Sequence, residues 1–139
     1  MDLCDNLIKL RLMLASYSEG YDVVEANKST PLSTRIKILY ALKDKDMTPN
    51  EFIEEICIAK SNLANLLKSL ISDGVVIGYK NADNSRNVNY RLTQKGLDEL
   101  NNYKREMYSK IRLKYSGDDV ELAKRLHDVI QLLKGGNND

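Results

Sequence analysis

The chain has 139 residues, 42% hydrophobic and 29% charged, with a formal net charge of +1, a composition that fits one globular domain with helical extensions. No apolar run approaches the roughly 18 residues of a membrane span, and Asp2 and Asp5 stand where a signal peptide carries positive charge. Cys4 and Cys57 are the two cysteines, too few for a disulfide framework, and together these features predict a cytoplasmic protein.

Residues 3–16 place Leu3, Leu7, Leu10 and Leu14 at steps of four, three and four, the pattern of a helix with a wide apolar face. Residues 17–31 read as irregular, punctuated by Gly20 and Pro31. A second helix is predicted over Ser33 to Leu42, with Ile36, Leu39 and Leu42 inward. In "TPNEFIEEI" Thr48 can cap, Pro49 takes the first helical position, and Glu51 completes a capping box. Cys57 falls in the turn that follows and is expected to be packed. The next helix is predicted from Lys60 to Asp73, stopped by Gly74, with Leu63, Leu66, Leu67 and Leu70 as its stripe. Val75 to Lys80 and Val88 to Leu92 read as two strands around a loop at 81–87. A long helix from Gln94 to Tyr115 and a last one from Asp118 to Lys134 complete the chain. No internal repeat or low-complexity block is present.

The fold class is therefore mainly α with one small β-hairpin. Short helix, turn, second helix and hairpin, in that order, make a winged helix-turn-helix. The charge agrees with an anionic partner: residues 59–95 carry six bases against two acids, while residues 1–58 carry seven against ten. On the second helix of the motif, Asn62 and Asn65 offer the bidentate amides that read adenine in a major groove. Ser61 and Ser69 can bond a phosphate or a base edge, and Lys60 and Lys68 supply cations for phosphate. A merely solvated helix face would favour Glu, Lys and Gln over these poor helix formers. The loop at 81–87 would carry Arg86 toward the adjacent minor groove, whose narrow, negative cleft suits a guanidinium. The rival reading is a winged-helix module that binds protein rather than DNA.

"TPNEFIEEICIAKSNLANLLKSLISDGVVIGYKNADNSRNVNYRLTQKGLDEL" resembles the DNA-binding core of the multiple-antibiotic-resistance-regulator (MarR) family of bacterial transcription factors. "LANLLKSLISDGVV" looks like the recognition helix leading into the wing, and "YSGDDVELAKRLHDVIQLLKG" is similar to the family's last helix. Two positions depart from the family pattern. Asn84 stands where an acid usually orients the wing arginine, and Ala59 stands where a capping serine or aspartate is usual. The resemblance implies a winged helix-turn-helix core over 32–96, an N-terminal dimerisation helix and connector over 1–31, and C-terminal dimerisation helices over 97–139. It implies a homodimeric regulator, a repressor by expectation, that reads a pseudo-palindromic operator in double-stranded DNA. The apolar spread of the first and last helices exceeds what the small core between them can cover, which independently favours burial against a second copy over packing within one chain.

Family members often bind small aromatic molecules near the junction of the dimerisation helices and the core. Tyr17, Tyr21 and Tyr40 are the candidates for such an effector site, with core filling as the alternative. One branch of the family senses peroxides through a cysteine in its first helix, which makes Cys4 the redox candidate; the neighbouring Asp2 and Asp5 oppose thiolate formation and favour inert packing. No enzyme chemistry is expected: His127 is the single histidine, no glycine-rich phosphate loop exists, and neither cofactor nor metal is predicted.

Overall fold

A computed structural model describes residues 2–22, 33–82 and 84–135, with the side chains of 15–22 and 84–86 outside that description. Six helices and one antiparallel hairpin follow in the order α1 (Leu3–Asp22), α2 (Thr34–Leu42), α3 (Pro49–Ile56), α4 (Lys60–Ser72), β1 (Val76–Asn81), β2 (Asn84–Leu92), α5 (Gln94–Lys114) and α6 (Asp119–Leu133). The chain is thus mainly helical around a winged helix-turn-helix.

Most helix ends are set by local chemistry. Ser33 caps α2 by accepting from the Ile36 amide. Thr48 accepts from the Glu51 amide while the Glu51 carboxylate accepts from the Thr48 amide at 2.9 Å, the full capping box, with Pro49 at the first position. Thr93 caps α5 and Asp118 caps α6. Ala59 at the head of α4 makes no side-chain cap, as its methyl dictates. After α4 the chain turns through Gly74 at φ +77°, where glycine avoids the Cβ penalty.

The core lies between α2, α3, α4, the base of the hairpin and the first half of α5. Ile38, Leu39, Met47, Phe52, Leu70, Val75, Val76 and Leu100 are fully buried there. Tyr90 and Leu92 pack against it from β2, and the Tyr90 ring meets Phe52 with 6.2 Å between centroids. Val88, also expected to pack back, is half-buried outside that cluster. Gly96, in the first turn of α5, is buried; a Cβ there would run into the Val75 carbonyl and the Leu92 side chain, so α5 owes its close approach to the hairpin to this residue.

Three expectations are corrected. First, α1 continues to Asp22, through a segment predicted to be irregular. Gly20 is tolerated inside a helix at a cost of about 1 kcal/mol, and Tyr17–Asp22 contains no proline to stop it. Second, no seven-residue loop separates the strands. β2 begins at Asn84, paired with Asn81, and the ladder then shifts so that Lys80 faces Val88. Arg86 therefore lies within β2, in a bulged stretch between paired positions. Polar residues hid this extension, because backbone pairing at a hairpin tip needs no apolar alternation. Third, Cys57 is exposed rather than packed. It ends α3 in the left-handed conformation, φ 56° and ψ 44°, which turns its side chain out of the core side of the motif.

α1 runs against α5, while α6 contributes no buried residue. Leu3 is 70% exposed, Val120 77% and Leu132 78%. The corner between α5 and α6 is polar: Asp119 accepts from Tyr108 Oη at 2.5 Å and Arg112 Nη1 at 2.6 Å, and Arg112 also donates to the Gly117 carbonyl. None of the described helices is long and apolar enough to cross a membrane.

Candidate nucleic-acid interface

The sequence of α4 makes it two-faced. At 3.6 residues per turn, Leu63, Leu67 and Leu70 fall on one line, and all three are buried. Ser61, Asn65 and Lys68 fall on the opposite line and are exposed. Asn62 and Ser69 lie on one exposed flank, and Lys60 lies on the other at the helix start. Among the described residues, none of these six makes a side-chain hydrogen bond or ion pair within the chain. Burial of the leucine stripe therefore presents a row of amides, hydroxyls and ammonium groups to solvent.

Beside this face the fold forms a cleft of about 500 Å³, lined by Thr34 and Lys37 from α2, Cys57 and Ala59 from the turn, and Asn62 and Asn65 from α4. Thr34 and Lys37 were not legible as site residues. They sit about 25 residues upstream of α4, and only the crossing of α2 behind the turn brings them alongside.

The wing is anchored at its base. Met47 bridges to β2 through two backbone bonds, its amide to the Tyr90 carbonyl at 3.1 Å and the Tyr90 amide to its own carbonyl at 2.8 Å. Next to it, the Asp46 carboxylate accepts from Arg91 Nη2 at 2.9 Å and Nε at 3.1 Å, and from the Tyr79 hydroxyl. The Arg91 guanidinium also lies 4.9 Å from the Tyr79 ring centroid. Hydrogen bonding from Arg91, joined by that from Tyr79, holds the Asp46 carboxyl below the usual carboxylate range, against a smaller opposing effect of burial.

These contacts sort the cations of the basic middle. Arg91 is committed to Asp46, and Lys95 Nζ to the Asp73 carbonyl at 2.8 Å. Lys60, Lys68 and Lys80 are exposed and have no acid partner among the described residues. The Arg86 side chain lies outside the described residues, as do those of Tyr17 and Tyr21. Tyr40 is 57% exposed on α2, with Lys43 Nζ 5.0 Å from its ring centroid, so it does not fill the core. Cys4 is exposed near the start of α1, and its amide donates to the Asp2 carboxylate at 3.2 Å.

No protein-family model matches the chain, and no curated protein matches it by sequence. Solved structures do match. A cysteine-to-serine mutant of MarR from E. coli superposes with a TM-score of 0.70 over 96% of this chain and 97% of that one, at 17% identity. The regulator BldR from Sulfolobus solfataricus gives 0.62 over 94% and 99%, also at 17% identity. The same MarR mutant complexed with operator DNA gives 0.57 over 94% and 99%, at 18% identity. The fold is thus that of the MarR-type winged-helix regulators, as the resemblance in the sequence implied.

Proposed function

We propose that this chain is a homodimeric, sequence-specific DNA-binding transcriptional regulator, acting as a repressor on a pseudo-palindromic operator. The observation that carries this reading is the exposed face of α4. It presents Ser61, Asn65 and Lys68, unpartnered among the described residues, beside an anchored wing. It does so in a fold that MarR displays in complex with operator DNA. In this reading Asn62 and Asn65 contact base edges, while Lys60, Ser61, Lys68 and Ser69 hold phosphates. Arg86 on the wing reaches the minor groove. Dimerisation through α1 and α6 is supported by their exposed leucines and valines. Two recognition helices would then meet major grooves about 34 Å apart.

Phosphate neutralisation releases counterions, so affinity should fall by roughly 10³ between 50 and 200 mM salt if about six phosphates are contacted. A gel shift on the chain's own upstream DNA tests this, and a complex indifferent to salt would refute it. Charge reversal at Lys68 and Arg86 separates DNA binding from the rival protein-binding module, since only the former should collapse.

Release by a small aromatic effector is the companion proposal, with Tyr17, Tyr21 and Tyr40 as its candidate contacts. The exposure of the Tyr40 ring supports it. An effector acts only through unequal affinity for the DNA-competent and incompetent states. A true one must stabilise the free protein in a thermal-shift screen and loosen the operator complex.

A further inference from the structure

The C-terminal end of α4 is joined to two other helices by one side chain. Arg35, in the first turn of α2, donates Nε to Glu99 Oε2 at 2.6 Å and Nη2 to Glu99 Oε1 at 2.8 Å, a bidentate pair with α5. Its Nη1 donates to Asp73 Oδ2 at 2.7 Å. Asp73 is the residue that ends α4. An acid there faces the negative end of the helix dipole, and the guanidinium offsets it. The fork is only partly exposed, and the bonds to Glu99 raise the already high pKa of Arg35 against the effect of burial, so its charge persists.

Two more bonds act on the same corner, Lys95 Nζ to the Asp73 carbonyl at 2.8 Å and Thr93 Oγ1 to the Gly74 carbonyl at 2.7 Å. Both grip backbone at the turn after α4. With the backbone bond from the Thr93 amide to the Val75 carbonyl at 3.1 Å they hold the end of the helix, while the buried Leu63, Leu67 and Leu70 hold its inner face. A planar guanidinium held at three nitrogens fixes a direction as well. Lysine, a point charge on a flexible stem, cannot reproduce that geometry.

We infer that Arg35 is a positioning residue for DNA recognition: by bridging Asp73 and Glu99 it sets the angle of α4 against α5, and so selects the spacing between operator half-sites. The inference rests on the dimeric DNA-reading function proposed above. Arg35 lies on the α5 side of α4 and reads no base; its effect passes through the attitude of the recognition helix. Half-site separation is a geometric property of the dimer, and one added base pair both lengthens and rotates the site.

The test uses the full-length chain and DNA that it selects from a random pool. The selected site is then remade with one base pair added or removed between half-sites. The wild type should prefer its own spacing by about tenfold or more, the scale of a mismatched base pair. In Arg35→Lys and in Glu99→Gln this preference should shrink to about threefold or less, while affinity for random DNA stays within about twofold of wild type. A general loss of stability would weaken all sites alike and leave the spacing profile intact, so the profile separates positioning from folding. Glu99→Gln preserves shape and serves if Arg35→Lys folds poorly. A wild type that selects DNA, with a variant whose spacing profile is unchanged, overturns the inference alone. A wild type that selects no sequence overturns the DNA-reading function and the inference with it.

Discussion

Asn65 and Lys68 stand about one turn apart on the same exposed line of α4, yet their chemistry differs. An amide offers a donor and an acceptor at fixed geometry, whereas an ammonium offers charge with little direction. Asn65→Ala should therefore relax base preference at one operator position and cost about 1–3 kcal/mol there. Lys68→Ala should weaken all sequences about equally and lower the salt slope by about one. Titrations on operator and on random DNA check both, and equal losses for Asn65→Ala on the two would remove it from the base-reading set. At this scale the sequence was informative wherever a residue acts with its neighbours. Thr48, Pro49 and Glu51 announce the start of α3, and the alternation of leucines with serines and asparagines announces the two faces of α4. It was silent on residues that act across the fold. Arg35 and Glu99 are 64 positions apart, and Asp46 and Arg91 are 45 apart. Nothing local in either pair marks them as partners. Gly96 looks like ordinary punctuation until the Val75 carbonyl is placed against it.

Among the elements, the helices were legible to within a few residues because their periodicity and caps agree. The hairpin tip and the end of α1 were not. Both are decided by the backbone's own hydrogen bonding in polar stretches, where side-chain patterning carries no signal. The wing depends on a polar anchor, and this makes it sensitive to acid. Asp46 has a folded pKa below its unfolded value, so its contribution is complete above the ordinary carboxylate range near pH 4 and is lost as pH falls through the lower folded value. Amide exchange in β1 and β2 should therefore accelerate on acidification below about pH 4 relative to α4. Asp46→Asn should show the faster exchange already at neutral pH and lose most of the acid dependence. An unchanged exchange profile in that variant would assign the anchoring to the Met47–Tyr90 bridge alone.

At the scale of the whole molecule, the division of labour is between a buried centre and two apolar flanks. α6 is tied on by a polar corner and buries none of its own residues. Truncation after Tyr115 should leave the core folded but deprive α1 of its counterpart. The product should be monomeric or aggregated in light scattering, whereas the intact chain should run as a dimer if the proposed assembly holds. A truncated chain that stayed a soluble dimer would move the interface away from α6.

The bare flank of α6 also bears on dosage. If part of each chain's fold is completed only by a second copy, stability depends on how often copies meet. The thermal midpoint should fall on dilution, and each tenfold dilution removes about 1.4 kcal/mol of association free energy. Scanning calorimetry across a hundredfold concentration range would register it, and a constant midpoint would show each copy to be self-sufficient. Under this coupling, halving synthesis would thin the population of regulators and weaken each survivor at once, so operator occupancy would decline more steeply than expression. A gene of this kind would be sensitive to its own copy number.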